Sequence, residues 1–417
     1  MTQSKFIRKL FHLRDVIVKK FNLENYNKEL HLYVRPHKCG AECPECRRRC
    51  KIVREMDEER SWRDLVVSGT SIYFHFRLRE IDCPTHGRSQ ENIPWADAYS
   101  RVSYRLEYLV LAYAQIMTQK AAAQVLNIPK STFSDILHRS IERIRDGHRI
   151  RNLKSIGIDE ISYCKGKKYA TVVYDMDRGC VVWVSKGKGR ETIDTFFENE
   201  LSEYQRNQIR YGSCDMAQTY IGAIKDYCKN AILVIDKFHV VKALNEAVDE
   251  VRKVEWRKVD GDEKKFLRGL RWLLFKHSSN RKKSQTRLLN GLRKSNRRIH
   301  RAWILKDEFE GFWDYLYQGS AKKFLKGWMT SVRRSRLEPM KEFVNTLDNH
   351  LENIITYIGT GITNAMAEGI NRVIRQVKNR ASGYRKFSAF TDMIYLVVGD
   401  VNIPEQIPAK FRTMRLN

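Results

Sequence analysis

The order of apolar segments between residues 154 and 236 limits the possible folds more than any other feature of this chain. Strand-like and helix-like runs follow one another in the order strand, strand, strand, helix, strand, helix, strand. Asp159 lies in the first strand, Asp215 ends the fourth and Asp236 ends the fifth. The predicted strands are 154–162, 168–174, 180–185, a run that ends at Asp215, and 231–235, and the predicted helices are 191–205 and 217–227.

This order predicts a mixed sheet of the ribonuclease H type, in which the first and fourth strands lie side by side. The adjacency would bring Asp159 and Asp215, which are 56 residues apart, to one end of the sheet. Each aspartate alone has a second interpretation, because an aspartate at a strand end is often a turn or cap residue. Asp236 and His239 are possible auxiliary groups, although a histidine packed at a helix start is the more common case.

A third carboxylate is expected from a late amphipathic helix. Its apolar positions are 370, 373, 374 and 377, and Glu368, Asn371, Arg372 and Arg375 are expected on the opposite face. Asp159, Asp215 and Glu368 would together form a site of hard oxygen ligands, which suits Mg²⁺ or Mn²⁺. Two such ions can activate a water or a terminal hydroxyl for phosphodiester displacement.

Two short cysteine motifs near the N terminus predict a zinc site. Cys43-Pro-Glu-Cys46 and Cys83-Pro-Thr-His86 each place two ligands two residues apart, and 36 residues separate them. Four nitrogen and sulfur ligands suit tetrahedral Zn²⁺, and a closed quartet indicates a structural role. Cys39 or Cys50 could replace one ligand or lie nearby.

Residues 103–139 predict a helix-turn-helix. An apolar helix (103–117) precedes a short Ala-rich one (119–126), Asn127-Ile128-Pro129 breaks the pattern, and a polar-fronted helix runs to about residue 145, capped by Ser131 or Thr132. A plain helical hairpin is the alternative. The expected groove-facing residues are Lys130, Ser131, Thr132, Ser134 and Asp135.

The charge distribution predicts a polyanionic partner. The net charge is +28, and residues 264–306 contain 15 Lys or Arg with no Asp or Glu. Residues 369–391 add six more basic residues and no acidic one. A solvated helix face is the usual explanation of a charge run, but 43 residues without an acid favour a phosphate-contacting surface. The candidate DNA contacts there are Arg281, Lys282, Lys283, Arg297, Arg298, Arg372 and Arg375.

Other features refine this expectation. The chain has no apolar run of about 18 residues and no apolar core near its start, so we expect a soluble cytoplasmic protein without a membrane partner, associated with the bacterial nucleoid. Most of the five tryptophans between residues 241 and 360 are expected in the core, and one could stack on an unpaired base.

Several motifs together resemble the DDE transposases of bacterial insertion sequences, in the ISL3 family. The upstream run with Arg63-Asp64-Leu65, Gly69 and Cys83-Pro84 resembles that family's zinc-finger segment, and residues 103–139 resemble its helix-turn-helix. The catalytic motifs that resemble the family are Gly157-Ile158-Asp159-Glu160, Asp215-Met216 with Tyr220, Asp236-Lys237-Phe238-His239-Val240, the run from Thr363 to Asn371, and Ala381-Ser382-Gly383-Tyr384-Arg385.

The resemblance implies a catalytic core interrupted by a helical insertion, Asp159, Asp215 and Glu368 as the metal-binding triad, and at least a dimer on DNA. Two departures stand out. His86 replaces a more usual cysteine, and Asn364-Ala365-Met366 differs from the small residues often found before the glutamate. Neither departure removes a catalytic carboxylate.

The predicted fold is multidomain, α+β and α/β, with a zinc-binding module, a helix-turn-helix and a ribonuclease H-like core interrupted by an all-helical insertion. The predicted function is binding of terminal inverted repeats in double-stranded DNA, followed by metal-dependent strand cleavage and transfer to target DNA. A DNA-binding repressor without catalysis and a structure-specific nuclease are the alternatives. The predicted domains are 1–100 (zinc), 101–150 (helix-turn-helix), 151–240 (first part of the core), 241–360 (basic insertion) and 361–417 (final helix and tail).

Overall fold

A computed structural model of the 417-residue chain describes residues 2–13, 16–37, 40–97, 100–147, 150, 152–164, 168–360 and 365–400. The chain divides into two compact units. One consists of Met1–Arg149 with Gln376–Asn417, and the other is Ile150–Arg375. Each unit has its own mixed sheet, in agreement with the predicted α+β and α/β composition of the chain.

The N-terminal part of the first unit is a six-stranded sheet. Its order is β1-β2-β5-β4-β3, with β6 beside β5, and β2 pairs with β5 in parallel. Ser68 and Gly69 form the two-residue turn between β4 and β5, and both have positive φ (50° and 80°), as a type I′ hairpin turn requires. The elements are α1 (Gln3–Leu10), β1 (Val16–Glu24), β2 (Glu29–Pro36), β3 (Ala41–Glu42), β4 (Arg49–Val67), β5 (Thr70–Cys83) and β6 (Gly87–Gln90).

Three helices follow in the order predicted for a helix-turn-helix: α2 (Tyr104–Ile116), α3 (Gln119–Val125) and α4 (Lys130–Gly147). Asn127 ends α3 in the left-handed conformation (φ 50°). The N–H groups of Asn127 and Ile128 bond back to the carbonyls of Gln124 and Ala123, which is the Schellman pattern of helix termination.

The predicted cap of α4 was wrong. The helix begins at Lys130, because the carbonyl of Pro129 already accepts the first helical hydrogen bond, from the Phe133 N–H. Ser131 and Thr132 are therefore the second and third residues of the helix.

The second unit contains a five-stranded sheet in the order β11-β10-β7-β8-β9. Strands β7, β8 and β9 form an antiparallel meander, while β10 lies parallel to both β7 and β11. The prediction that the first and fourth strands of this segment are neighbours is confirmed. The strands are β7 (Ser155–Cys164), β8 (Lys168–Asp175), β9 (Cys180–Lys186), β10 (Tyr211–Cys214) and β11 (Ile232–Ile235).

The helix predicted for 191–205 is interrupted. Helix α5 (Arg190–Thr195) continues as a π-helical turn over Phe196–Glu200, and a new helix, α6 (Glu203–Gln208), then begins. Ser202 and Gln205 form a capping box at the start of α6, which explains the restart. Helix α7 (Gln218–Tyr227) joins β10 to β11.

The described residues after β11 are mostly helical, as predicted. A single apolar core runs from Leu153 in front of the sheet to Ile355 in the late helices. The helices are α8 (Lys237–Trp256), α9 (Gly261–Gly269), α10 (Arg271–Phe275), α11 (Lys283–Ser295), α12 (Arg297–Glu310), α13 (Gln318–Arg333), α14 (Glu338–Asn349), α15 (Leu351–Thr360), α16 (Ala365–Arg380) and α17 (Phe387–Val398).

Among the described residues, no helix combines the length and the apolar character needed to cross a membrane.

Candidate functional site

The strand register places three aspartates at the same level of the second unit's sheet. Ser213 of β10 pairs with Gly157 of β7, so Asp215 and Asp159 lie two residues further along the same parallel pair. Cys214 pairs with Ile235 of β11, so Asp236 lies one residue beyond that pair, level with Asp215. The predicted convergence of Asp159 and Asp215 on one end of the sheet is thus present, and Asp236 joins them.

Local hydrogen bonds hold each of these carboxylates in one orientation. Asp159 Oδ1 accepts from the N–H of Glu160 (2.7 Å), and Asp215 Oδ1 accepts from the N–H of Ala217 (2.9 Å). Asp236 caps α8 by accepting from the N–H of Phe238 (3.1 Å). Asp236 is therefore both a helix cap, as expected of an aspartate at a strand end, and a member of the acidic cluster.

Burial and neighbouring charges both act on the Asp159 carboxylate. The Asp159 side chain is only 18% exposed, and its burial raises its pKa, with a further increase from the neighbouring charges of Asp215 and Asp236. His239 opposes this effect, because its Nε2 lies 3.9 Å from Asp159 Oδ1 and 3.7 Å from Asp236 Oδ2. His239 therefore faces the acidic cluster.

Asn371 connects the late helix α16 to this cluster. Its Nδ2 donates to Asp159 Oδ2 (2.7 Å), and its Oδ1 accepts from the hydroxyl of Tyr174 on β8 (2.5 Å). Both Asn371 and Tyr174 are buried. The amide expected beside Glu368, on the face of α16 opposite its apolar stripe, is thus the group by which this helix contacts the sheet.

Glu368 lies one helical turn before Asn371 and is half-buried. Residues three apart on a helix lie on the same side, so Glu368 is carried toward the end of the sheet where Asn371 contacts Asp159. No described residue makes a hydrogen bond or an ion pair with the Glu368 carboxylate, which leaves its oxygens available as ligands. Thr363 and Asn364 of the motif before it lie outside the described residues.

A second layer of polar residues surrounds Glu160. Lys188 Nζ lies 3.8 Å from Glu160 Oε2, and burial raises the pKa of Glu160. The hydroxyls of Tyr220 and Thr171 are 3.1 Å apart, and burial raises the pKa of Tyr220. Thr171 had no signal in the sequence as a site residue, since only the pairing of β8 with β7 brings it opposite Glu160.

The four predicted zinc ligands form one cluster in the first unit, with ligand atoms all within 4.8 Å of one another. Cys46 Sγ lies 3.7 Å from Cys83 Sγ, and His86 Nδ1 lies 3.6 Å from Cys43 Sγ and 3.7 Å from Cys83 Sγ. Tetrahedral Zn²⁺ with ordinary bond lengths requires about 3.8 Å between two sulfurs and about 3.6 Å between sulfur and nitrogen. The quartet therefore fits the ion.

The cysteines of the quartet differ in acidity, since the pKa of Cys46 is raised by burial and by the neighbouring thiols. Backbone N–H groups of Thr85 and His86 lower the pKa of Cys83 to about 6, which favours the thiolate that binds metal. Cys50 lies outside the quartet, and its Sγ contacts the carbonyl of Arg48 at 3.3 Å. Cys39 lies outside the described residues.

The predicted groove-facing residues occupy the first turns of α4. Lys130, Ser131 and Asp135 are exposed, and Thr132 is half-buried. The Ser134 hydroxyl instead donates to Gln119 Oε1 on α3 (3.2 Å), so it joins the two helices of the motif.

The candidate basic residues of the helical region differ in exposure. Arg281 is only 3% exposed, pairs with Asp307 and lies over the Trp303 ring, so its guanidinium stabilises the fold and is not available to a phosphate. Arg298 is 44% exposed and pairs with Glu255. The exposed members of the set are Lys282, Lys283, Arg297, Arg298, Arg372 and Arg375.

Comparisons with known proteins agree with one another. A family model described as "Transposase", for the ISL3 family, matches residues 156–394, more than half of the chain. A second model, described as the helix-turn-helix domain of transposase family ISL3, matches residues 91–141.

Two curated relatives are each 27% identical to this chain. The transposase for insertion sequence element IS1001 of Bordetella parapertussis matches over 371 residues, 87% of this chain and 90% of that protein. The transposase for insertion sequence element IS1557 of Mycobacterium tuberculosis matches over 382 residues, 85% of each protein. Among solved structures, the Drosophila P element transposase strand transfer complex is similar at a TM-score of 0.37 and 9% identity, over 71% of this chain and 92% of that one.

Proposed function

The chain belongs to the ISL3 family of transposases, and we propose that it binds the terminal inverted repeats of a bacterial insertion sequence and cleaves and rejoins DNA strands with Asp159, Asp215 and Glu368. The observation that carries the proposal is the hydrogen bond from Asn371 to Asp159, which ties the helix bearing Glu368 to the strand bearing the first aspartate. Curated relatives of similar length are transposases of insertion sequences.

The proposed core is ribonuclease H-like. The strand order β11-β10-β7-β8-β9, with a three-stranded antiparallel meander and two parallel strands beside it, supports this assignment. The helical segment 241–360 is then an insertion between the last strand of the core and the helix of Glu368. We further propose the five-part division 1–100, 101–150, 151–240, 241–360 and 361–417.

The donor set suits a hard divalent cation. Asp159, Asp215 and Glu368 offer carboxylate oxygens, which are the ligands that hard divalent cations prefer. Mg²⁺ or Mn²⁺ bound there would lower the pKa of a water or terminal hydroxyl and stabilise charge on the leaving oxygen.

The other residues of the site act by orientation. Asn371 holds the carboxylate of Asp159 in one rotamer, and the Tyr174 hydroxyl fixes which end of the Asn371 amide faces that carboxylate. His239 lies between Asp159 and Asp236, and its charge opposes the rise that burial causes in the pKa of Asp159. Exposed Arg372 and Arg375 on α16 are placed one turn or more beyond Glu368, where they would contact the phosphates that flank the cleaved bond.

We propose that α4 reads the inverted repeat in the major groove with Lys130, Ser131 and Thr132, while the exposed lysines and arginines of 264–306 hold the DNA backbone. The zinc quartet would stabilise the turn that carries Arg47, Arg48 and the basic residues beside them. Assembly of at least two copies on DNA and a cytoplasmic, nucleoid-associated location complete the proposal.

Substitution of each acid tests the catalytic assignment. Asp159→Asn, Asp215→Asn and Glu368→Gln should each abolish strand cleavage of an end-containing duplex in Mg²⁺, while binding of the same duplex stays within about twofold of wild type. Glu342→Gln is the control, because Glu342 is an exposed acid on α14. Cleavage at the wild-type rate by any of the three variants would remove that residue from the assignment.

The alternatives give other outcomes. A repressor would bind the end and never cut it, and a nuclease would cut without joining the cut strand to a second duplex. Strand-transfer products on a target duplex, together with short inverted repeats in the DNA on both sides of the gene, would support the transposase.

A further inference from the structure

One tryptophan of the helical region is exposed to solvent. Residues 241–360 contain five tryptophans, all in the part of the chain that the structure describes, and Trp272 is 72% exposed. The other four are covered by packing: Trp256, Trp303, Trp313 and Trp328. Its uncovered π face is a surface on which a flat ligand can stack.

The Trp272 ring is held in place by its neighbours. The guanidinium carbon of Arg271 lies 5.1 Å from the Trp272 ring centroid and 5.7 Å from that of Phe275. Phe275 meets Trp272 edge-on, with centroids 5.9 Å apart. Arg271 Nε in turn lies 3.4 Å from Asp249 Oδ2 on α8. A ring that is already oriented loses little conformational freedom when a ligand stacks on it.

The charge around Trp272 selects the class of ligand. The ring lies inside the acid-free segment 264–306, next to exposed Arg268 and half-exposed Arg271. A second copy of this chain would bring the same cations and be repelled, whereas a nucleic acid brings phosphates and flat bases. In a duplex the base faces are covered by neighbouring base pairs, so a ring of this kind can stack only on an unpaired base.

We propose that Trp272 is a stacking platform for an unpaired base of the bound DNA. This rests on the proposed function, since the acids fix where the DNA is cut. Asp249, which holds Arg271, lies ten residues after His239 on the same helix, about 15 Å along its axis.

The test uses oligonucleotide duplexes of the element end with one unpaired 2-aminopurine, moved position by position through about ten nucleotides around the cut, in buffer without added Mg²⁺ or Mn²⁺. Stacking on Trp272 should quench 2-aminopurine fluorescence at one position, and Trp272→Ala should remove the quenching. The same variant should weaken binding of that duplex about 5- to 150-fold, the range for one base on one aromatic ring, without weakening binding of the fully paired duplex. Trp272→Phe should retain part of both effects.

Leu288→Ala is the matched control, because Leu288 is an exposed apolar residue of the same basic segment without a π face. Equal loss of paired and unpaired binding in Trp272→Ala, or no loss of either, would overturn the proposal. So would a change in oligomeric state without a change in quenching, which would identify the ring as a contact between copies of this chain. Because the assay contains no free divalent metal, position-specific quenching with no cleavage in Mg²⁺ would reject the catalytic proposal and leave this one standing.

Discussion

Replacing Asn371 by leucine removes the contact between the Glu368 helix and Asp159 while keeping a side chain of similar size. The wild-type amide makes two buried hydrogen bonds, one to the Asp159 carboxylate at 2.7 Å and one from the Tyr174 hydroxyl at 2.5 Å. A hydrogen bond to a charged group contributes about 1.5–3 kcal/mol, and a buried hydroxyl left without a partner costs about 1–3 kcal/mol. Since both bonds belong to one amide, we expect a loss of about 3 kcal/mol in the free energy of unfolding.

The effect on catalysis follows from the same geometry. Without the amide, the Asp159 carboxylate can rotate and α16 is no longer fixed against it. Loss of about 1.5–3 kcal/mol of orientation corresponds to about 10- to 100-fold slower strand cleavage. Tyr174→Phe should have a smaller effect, because the bond to Asp159 remains. Asn371→Asp should have the largest, because a second carboxylate next to Asp159 raises the pKa of the pair.

Three measurements separate positioning from general damage. Cleavage of a labelled end duplex gives the catalytic effect, thermal unfolding gives stability, and binding of the same duplex reports on the helix-turn-helix. Calorimetric titration with Mn²⁺ gives an effect on metal affinity that does not depend on turnover. Asn345→Leu is the control, because Asn345 is an exposed asparagine on α14.

The reasoning would be refuted by an Asn371→Leu protein that is folded at the assay temperature and cleaves at the wild-type rate. It would also be refuted if Asn371→Asp cleaved as fast as wild type, because the argument depends on a donor facing Asp159. A fall in end binding that parallels the fall in cleavage would assign the effect to DNA affinity instead.

The remaining predictions concern the zinc quartet, the basic segment and the first unit's C-terminal helix. Cys83→Ser should release one equivalent of zinc, measured with a colorimetric chelator, and lower the unfolding temperature; a variant that retains the metal would exclude Cys83 as a ligand. Arg281→Ala should destabilise the fold by about 1–3 kcal/mol in denaturant titrations, because Asp307 then keeps only its longer ion pair with Lys306 (3.8 Å), whereas Lys282→Ala should instead weaken DNA binding and reduce its salt dependence. The hydrogen bond and ion pair with Asp392 raise the pKa of His138 above 6.5, so the stability they contribute is complete below about pH 6.5 and is lost as the pH rises through the folded-state value. Between about pH 6 and pH 8.5 the unfolding temperature should therefore fall more in wild type than in His138→Gln. The corresponding difference in the free energy of unfolding should be less than about 1 kcal/mol, because the His138 side chain is 44% exposed. Identical profiles would contradict the pairing.

Much of the second unit's sheet was predictable because its signals are local. Apolar runs such as Ile232–Ile235 are too short for helices, and the turn at Gly179 separates two strands of the meander. Once the strand order is known, the aspartates at 159 and 215 must lie near each other, since parallel neighbours end at the same edge. The zinc quartet was predictable for a similar reason, because two ligands on each tight turn need only one contact between the turns.

Which face of a helix is covered was less predictable. The pattern of α16 placed Asn371 on the polar face with Glu368, but it did not predict the partners of the amide, a buried tyrosine hydroxyl and a carboxylate on the sheet. Arg281 and Trp272 are two further residues whose burial the sequence did not predict. The arginine is buried on Asp307, which lies 26 residues away, and the tryptophan is exposed although its residue type predicts the core.

The sequence by itself determined the element order, the acids and metal ligands available, and the concentration of positive charge, because each depends on residue type and short-range periodicity. Only the tertiary structure decided which of those groups meet. The contact of Asn371 with Asp159 joins residues 212 apart, and the exposure of Trp272 depends on how α10 packs on α8. Such pairings depend on the packing of distant segments, and the free energy of that packing is distributed over the whole core and not over any single motif.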